Sequence, residues 1–242
     1  MMSFKNKYQF FYADHINKNK PIHLLISQDG QFALEENEKT NGYALELNKL
    51  IIEEKLPFVL LTIDNVENER ANQYCPYQSG NFSFKTLGYN RILNPVGKEY
   101  STWLIEFLLP NVIEEYNIEI ESITLLGISM GALISLYTLL EYPNEINNLI
   151  SISGAYYINQ ESIEQKIIET SFYDSHKIYL DYGTEEVESD NFISTCFIES
   201  NERIINSLRE QPIELVPKKF EGHHHDYLFF KERVKKAIKE II

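Results

Sequence analysis

Ser129 stands in Gly-Ile-Ser-Met-Gly, residues 127–131, with a glycine two places before it and two places after. A nucleophilic serine at the top of a sheet must project from a sharp strand-to-helix turn. Small residues at those two places let the strand and helix pack closely around it. Ser122–Leu126 reads as a short strand, and Met130–Tyr142 reads as a helix. A helix that starts there aims its free N–H groups, Met130's nearest, at any negative oxygen formed above the serine. A glycine-flanked serine alone is also an ordinary turn. The strand and helix on either side are what favour the nucleophile.

Such a serine needs a base and an acid that orients the base, in the chain order Ser, Asp or Glu, His. Four histidines lie downstream: His176, His223, His224 and His225. His176 opens an expected strand and so belongs to the wrong end of the sheet. The other three sit in Phe-Glu-Gly-His-His-His-Asp-Tyr, after one strand and before the last helix. Adjacent loop side chains diverge, so at most one can face Ser129, and the residue pattern leaves open which. The acid is expected just after Lys-Ile-Tyr-Leu-Asp-Tyr, where Asp181, Glu185, Glu186 and Asp190 all qualify. Asp181 is still inside the strand, and Asp190 also suits the cap of a helix from Asn191. Consecutive histidines can bind a metal, but no second Cys, His or Asp group has ligand spacing. Neither a metal nor another cofactor is expected.

These residues need elements to position them. Pro21–Ser27 and Pro57–Asp64 are near-continuous apolar runs, as in strands buried on both faces. Gly42–Glu54 has a helical rhythm, and Asp64–Phe84 reads as a long loop. Ser101–Tyr116 is an expected helix kinked at Pro110. Met130–Tyr142 is apolar almost all round, hence buried, and Pro143 stops it. Asn148–Ser153 and Lys177–Tyr182 are strands, Asn191–Glu210 a helix, and Tyr227–Ile242 an amphipathic closing helix. Ile213–Phe220 is a strand near an edge, because Pro217 cannot donate to a ladder. This alternation predicts an α/β protein with a mostly parallel central sheet and helices on both faces, in one domain spanning 1–242. Sites in such sheets lie at the carboxyl ends of strands, where all the motifs above fall.

Composition narrows the function classes. A net charge of −14 argues against nucleic acid as a partner, because phosphate binding needs a Lys/Arg surface. No run approaches the roughly 18 apolar residues of a membrane span, and no secretory leader is read at the N-terminus. Cys75 and Cys196 lie in unrelated segments, which fits a reducing compartment. A cytoplasmic location is the expectation.

The stretch Leu125–Tyr157, with its strand-end Ser-Gly-Ala-Tyr-Tyr, resembles the nucleophile region of the esterase branch of the α/β-hydrolases, the group of esterase D-like and enterochelin-esterase-like proteins. Leu56–Pro76 resembles the same family's strand, Ile-Asp-Asn turn, following Arg and Tyr-x-Pro end. The likeness runs from Pro21 to the last helix in unbroken order. It implies the α/β-hydrolase fold and a serine carboxylesterase that cleaves a small-molecule ester through an acyl-enzyme, with no cofactor. It implies Ser129 as nucleophile. Gly-Thr-Glu-Glu matches the family's acid turn and selects Glu186; Gly-His-His-His-Asp-Tyr matches its His-Asp-aromatic ending and selects His225. Ser-Gln-Asp-Gly-Gln-Phe resembles the loop that supplies a second oxyanion donor. That implies the Gln31 N–H beside Met130's, with Gly30 permitting close approach. Arg70 matches the family's Arg, which shapes the pocket or holds the long loop. Ala132 stands where many relatives carry a further glycine, and no His-Gly-Gly-Gly loop of the lipase kind is present. The resemblance also admits a thioesterase such as an S-formylglutathione hydrolase, a siderophore-lactone esterase, or an acyltransferase. Relatives are often homo-oligomers. A catalytically inactive binding protein on the same fold is the non-enzyme alternative.

Overall fold

The computed structural model describes residues 4–36, 38–89 and 93–242. Among the described residues seven strands form one sheet: β1 (Tyr8–Phe11), β2 (Ile22–Gln28), β3 (Phe58–Ile63), β4 (Ile120–Ile128), β5 (Asn148–Ile152), β6 (Lys177–Gly183) and β7 (Glu214–Phe220). Their order is β1-β3-β2-β4-β5-β6-β7. Only β1 is antiparallel, pairing with β3; every other neighbouring pair is parallel. β7 closes one edge, with Pro217 opposite Leu180 on its single paired side, as a residue without an N–H requires.

Side chains alternate across the sheet with period two. Leu24, Ile26, Val59, Leu61, Ile123 and Leu125 enter one core, while Leu25, Leu60, Leu126, Ile150, Ile152 and Tyr179 enter the other. Helices α1 (Leu47–Glu53) and α9 (Tyr227–Ile241) supply the second core through Leu47, Ile51, Phe230, Val234 and Ile238. The opposite face carries α2 (Arg70–Tyr74), α4 (Gly97–Thr102), α5 (Leu109–Tyr116), α6 (Met130–Glu141), α7 (Gln160–Glu169) and α8 (Asn191–Arg209). A short α3 (Asn81–Leu87) packs beside α7 and α8. Every residue of α6 except Glu141 is buried, as its all-round apolar sequence demands.

Four expectations are corrected. Asp64–Phe84 is not a loop. It holds a 3-10 turn at Glu67–Glu69, then α2 and the start of α3, elements too short and polar to show a period. The expected helix 42–54 begins only at Leu47. Gly42 and Glu46 have positive φ, and Leu45 and Leu47 donate to Phe32 and Ala33 carbonyls instead of coiling. The break expected at Pro110 takes the form of a π-helical turn at Trp103–Leu108, which leaves Pro110 in the first turn of α5 where its missing N–H costs nothing. Finally, β1 and α7 lie in segments where no element was expected.

Candidate active site

The chain leaves β4 and enters α6 through Ser129, at φ 58° and ψ −119°. A serine holds positive φ only when its surroundings over-determine it. Its N–H donates to the Ile152 carbonyl at 3.0 Å, and its carbonyl accepts from Ala155, Ala132 and Leu133 N–H groups. The flanking glycines have distinct reasons. A Cβ on Gly127 would sit 2.1 Å from the Gly131 carbonyl oxygen, so β4 and the first turn of α6 leave no room for a side chain. A Cβ on Gly131 would sit 3.0 Å from Asp29 Oδ2 and 3.3 Å from Gln28 Cβ, the end of β2.

Glu186 lies in the turn after β6, with its side chain fully buried. Its Oε2 is 2.7 Å from His225 Nδ1. Its Oε1 accepts from Ser153 Oγ at 2.5 Å and from the Gly183 N–H at 2.6 Å. Burial by itself would push this carboxyl up. The hydrogen bond and charge of His225, then Arg233 and Ser153, outweigh burial and hold it below the usual carboxylate range. His225 is clamped edge-on by Phe197 and Phe230, ring centroids 5.3 and 5.0 Å away.

The other candidates lie elsewhere. Asp181 is buried inside β6 and paired with Arg233. Glu185 is exposed beside His224, and Asp190 caps α8 through the Phe192 and Ile193 N–H groups. His224 bonds the Glu185 carbonyl and lies 3.2 Å from Glu188. His223 stacks between Phe220 and Phe229. His176, at the amino end of β6, is buried against the Pro143 carbonyl.

The loop after β2 faces the elbow. Asp29 adopts the left-handed conformation, and Gly30–Phe32 forms one 3-10 turn. A Cβ on Gly30 would meet Ile63 backbone atoms at 2.9 Å and Asp64 Oδ1 at 2.8 Å. Gly30 therefore lets the turn lie flat on the end of β3. The Gln31 N–H has no backbone acceptor among the described residues, and the Met130 N–H, first in its helix, has none either. Arg70 donates to both Asp29 oxygens, at 2.7 and 2.8 Å, and lies over the Tyr74 ring. Its guanidinium thus holds the Asp29 turn while its side chain lines the cleft.

That cleft has a volume of about 590 Å³ and brings together Ser129, His225, Gln31, Arg70, Asp64 and Tyr227. Met130 and Gly30 are buried, each next in the chain to a lining residue, Ser129 and Gln31. With Nδ1 held by Glu186, the remaining nitrogen of His225 is the one able to take a proton. Among the described residues no group of three or more His, Cys, Asp or Glu could hold a metal ion, and no helix is long and apolar enough to cross a membrane.

Sequence reasoning missed Asp29, Ser153 and Arg233, all buried at this end of the sheet. One signal existed for Arg233: it falls between Phe230 and Ala237 on the apolar stripe of α9, where a charge needs a buried partner.

Known proteins share this architecture. The siderophore hydrolase EstA from Aspergillus nidulans superposes with a TM-score of 0.74 at 15% identity, over 98% of this chain and 88% of that one. The BES protein from Bacillus cereus gives 0.65 at 17% identity, over 100% and 96%. The enterochelin esterase from Shigella flexneri gives 0.68 at 16% identity; 98% of this chain is covered, but only 58% of the Shigella chain. At these identities the likeness is one of fold. In sequence, the "Uncharacterized protein YbbA" of Bacillus subtilis (strain 168) is 25% identical over 182 residues, 72% of this chain and 70% of the relative. The model of the family described as "Putative esterase" matches residues 2–240. The chain belongs to that family, as an α/β-hydrolase-fold enzyme acting on ester bonds.

Proposed function

We propose that the protein is a serine carboxylesterase for small acyl esters, with Ser129 as nucleophile, His225 as base and Glu186 as the acid that orients the base. The observation that carries this reading is the 2.7 Å contact between His225 Nδ1 and Glu186 in a cleft shared with a Ser129 held at positive φ. Ser129 Oγ attacks the ester carbonyl while His225 takes its proton. Glu186 stabilises the imidazolium that forms. The Met130 and Gln31 N–H groups receive the oxyanion. The intermediate collapses when His225 returns the proton to the departing alkoxide, and water then hydrolyses the acyl-enzyme by the same steps in reverse. Gly30 and Arg70 serve by shaping the wall that carries Gln31. In this reading the partner is a small-molecule ester, and a chain with only two cysteines, Cys75 and Cys196, both buried and in unrelated segments, suits the cytoplasm.

A siderophore-lactone esterase is the second reading, favoured by the fold shared with a siderophore hydrolase and an enterochelin esterase. The test is labelling with a fluorophosphonate, mapped by mass spectrometry, beside turnover of short acyl esters, thioesters and a catecholate trilactone. Labelling at Ser129 is expected, with Ser129→Ala losing turnover on the order of 10⁴-fold or more. A Ser129→Ala enzyme that keeps full activity would overturn the assignment.

A further inference from the structure

Arg233 is the largest fully buried side chain among the described residues, an uncommon place for a permanent cation. It lies on α9 between the rings of Phe220 and Phe230. Nε donates to Asp181 Oδ1 at 3.1 Å, and Nη2 donates both to that oxygen and to Ser153 Oγ, the latter at 2.7 Å. Nη1 has no hydrogen-bond partner among the described residues and stands 3.9 Å from Glu186 Oε1. Asp181 Oδ2 accepts from the Tyr179 hydroxyl at 3.0 Å. A buried ion pair is a poor stabiliser compared with apolar packing of the same volume. Its connection to Ser153 and Glu186 suggests what else it does.

The hydrogen bonds can run in only one direction. A guanidinium only donates, and a serine hydroxyl has one proton. Ser153 Oγ accepts from Arg233, and the acceptor the structure gives its own proton is Glu186 Oε1. Gly183 N–H donates to the same oxygen. Both partners of Oε1 are therefore donors, and a proton placed on Oε1 would have no acceptor. The single proton between Oε2 and His225 then belongs on Nδ1, since the other arrangement makes Glu186 neutral in a pocket built of donors.

We propose that Arg233 is a positioning residue: acting through Ser153, it fixes the direction of the hydrogen bonds at Glu186 and so holds His225 in the Nδ1–H tautomer, with Nε2 as the free base. Asp181 balances the guanidinium, so the two carboxylates and one cation leave one negative charge to meet the imidazolium. The strained backbone of Ser153, at φ 46°, fits this role, because it places a hydroxyl between two elements distant in sequence. The proposal rests on the serine-hydrolase reading above.

Two full-length variants test it. Ser153→Ala cuts the link and leaves the ion pair intact. Arg233→Met with Asp181→Leu replaces the pair by apolar groups without stranding a buried charge. The ¹⁵N shifts of the His225 ring report its tautomer, and kcat and KM are measured with a p-nitrophenyl short-acyl ester. We expect Nδ1–H alone in the wild type, a tautomer mixture in both variants, and kcat lower by about tenfold or more with KM little changed, a fraction of the loss a wholly wrong tautomer causes. Folded variants that keep the wild-type tautomer and a kcat within about twofold would overturn the proposal and leave Arg233 a structural ion pair. Should the double variant fail to fold, Ser153→Ala still decides, since it removes a single oxygen. A wild type that neither labels at Ser129 nor turns over ester would sink the catalytic reading, while the tautomer measurement would still judge Arg233 on its own.

Discussion

Replacing Arg70 with Met should lower stability and turnover together, without a large change in KM. The Asp29 side chain is 4% exposed, and its carboxylate takes two charge-assisted bonds from Arg70, with Asn65 as its other side-chain donor. Removing one partner of a buried ion pair costs about 3–5 kcal/mol. Arg70 itself is 27% exposed and Asn65 stays, so the expected loss is smaller, about 2–3 kcal/mol. For a domain of this size that lowers the melting temperature by about 4–12 °C. The same carboxylate holds a left-handed residue directly before the turn that presents the Gln31 N–H. Loss of one oxyanion donor outright costs about 10²–10³ in kcat, so a loosened donor should cost about ten- to a hundredfold. The assay is thermal unfolding beside steady-state kinetics on a neutral ester, repeated for Asp29→Asn and for the double variant. The two substitutions should be far from additive, with a coupling of about 2 kcal/mol. An unchanged melting temperature and kcat with KM raised about tenfold would refute this reasoning and make Arg70 a direct ligand of substrate.

Gly30→Ala should fold but lose kcat by about tenfold or more, because the new methyl meets Ile63 backbone that cannot swing aside; a variant with wild-type kinetics would remove that turn from the site. His225→Ala should abolish fluorophosphonate labelling, whereas His223→Ala and His224→Ala should keep it, since His225 is the ring bonded to Glu186 while His224 bonds the Glu185 carbonyl and His223 packs on Phe229; mass spectrometry of the three variants after probe treatment reads this out. Glu186, whose carboxyl is held below its ordinary value, contributes stability that is present at neutral pH and lost as pH falls through its folded-state pKa. Asp181, pushed up by burial against the pull of Arg233, has the opposite sign: its folded state takes up a proton more readily than the unfolded chain, so its contribution falls as pH rises. Denaturant midpoints for Glu186→Gln should therefore decline less than wild type below about pH 4.5, and an equal decline would count against the assignment.

Local patterning made much of this legible from residues alone. Apolar runs located β2 and β3, all-round apolarity located α6, and Pro217 placed β7 at an edge, because burial on two faces and a missing N–H leave marks within a few residues. The spacing of Gly127, Ser129 and Gly131 reflects a collision between neighbouring backbones, which is also local. The short helices α2 and α3 left no such mark, since their positions depend on packing against α4, α7 and α8.

Three histidines in a row and four candidate acids, among five carboxylates in ten residues, could not be told apart by composition, and resemblance to a family was needed to select Glu186 and His225. The tertiary structure brings these two side chains to 2.7 Å of one another across 39 residues of chain. It alone shows Asp29 held by Arg70, and Ser153 and Arg233 set behind Glu186, from segments as much as 80 residues apart. Sequence by itself determined where backbone shape had to be special, because strain and burial are paid for locally. Which charges meet was decided only by the fold, because a hydrogen bond between distant segments leaves no period in either one.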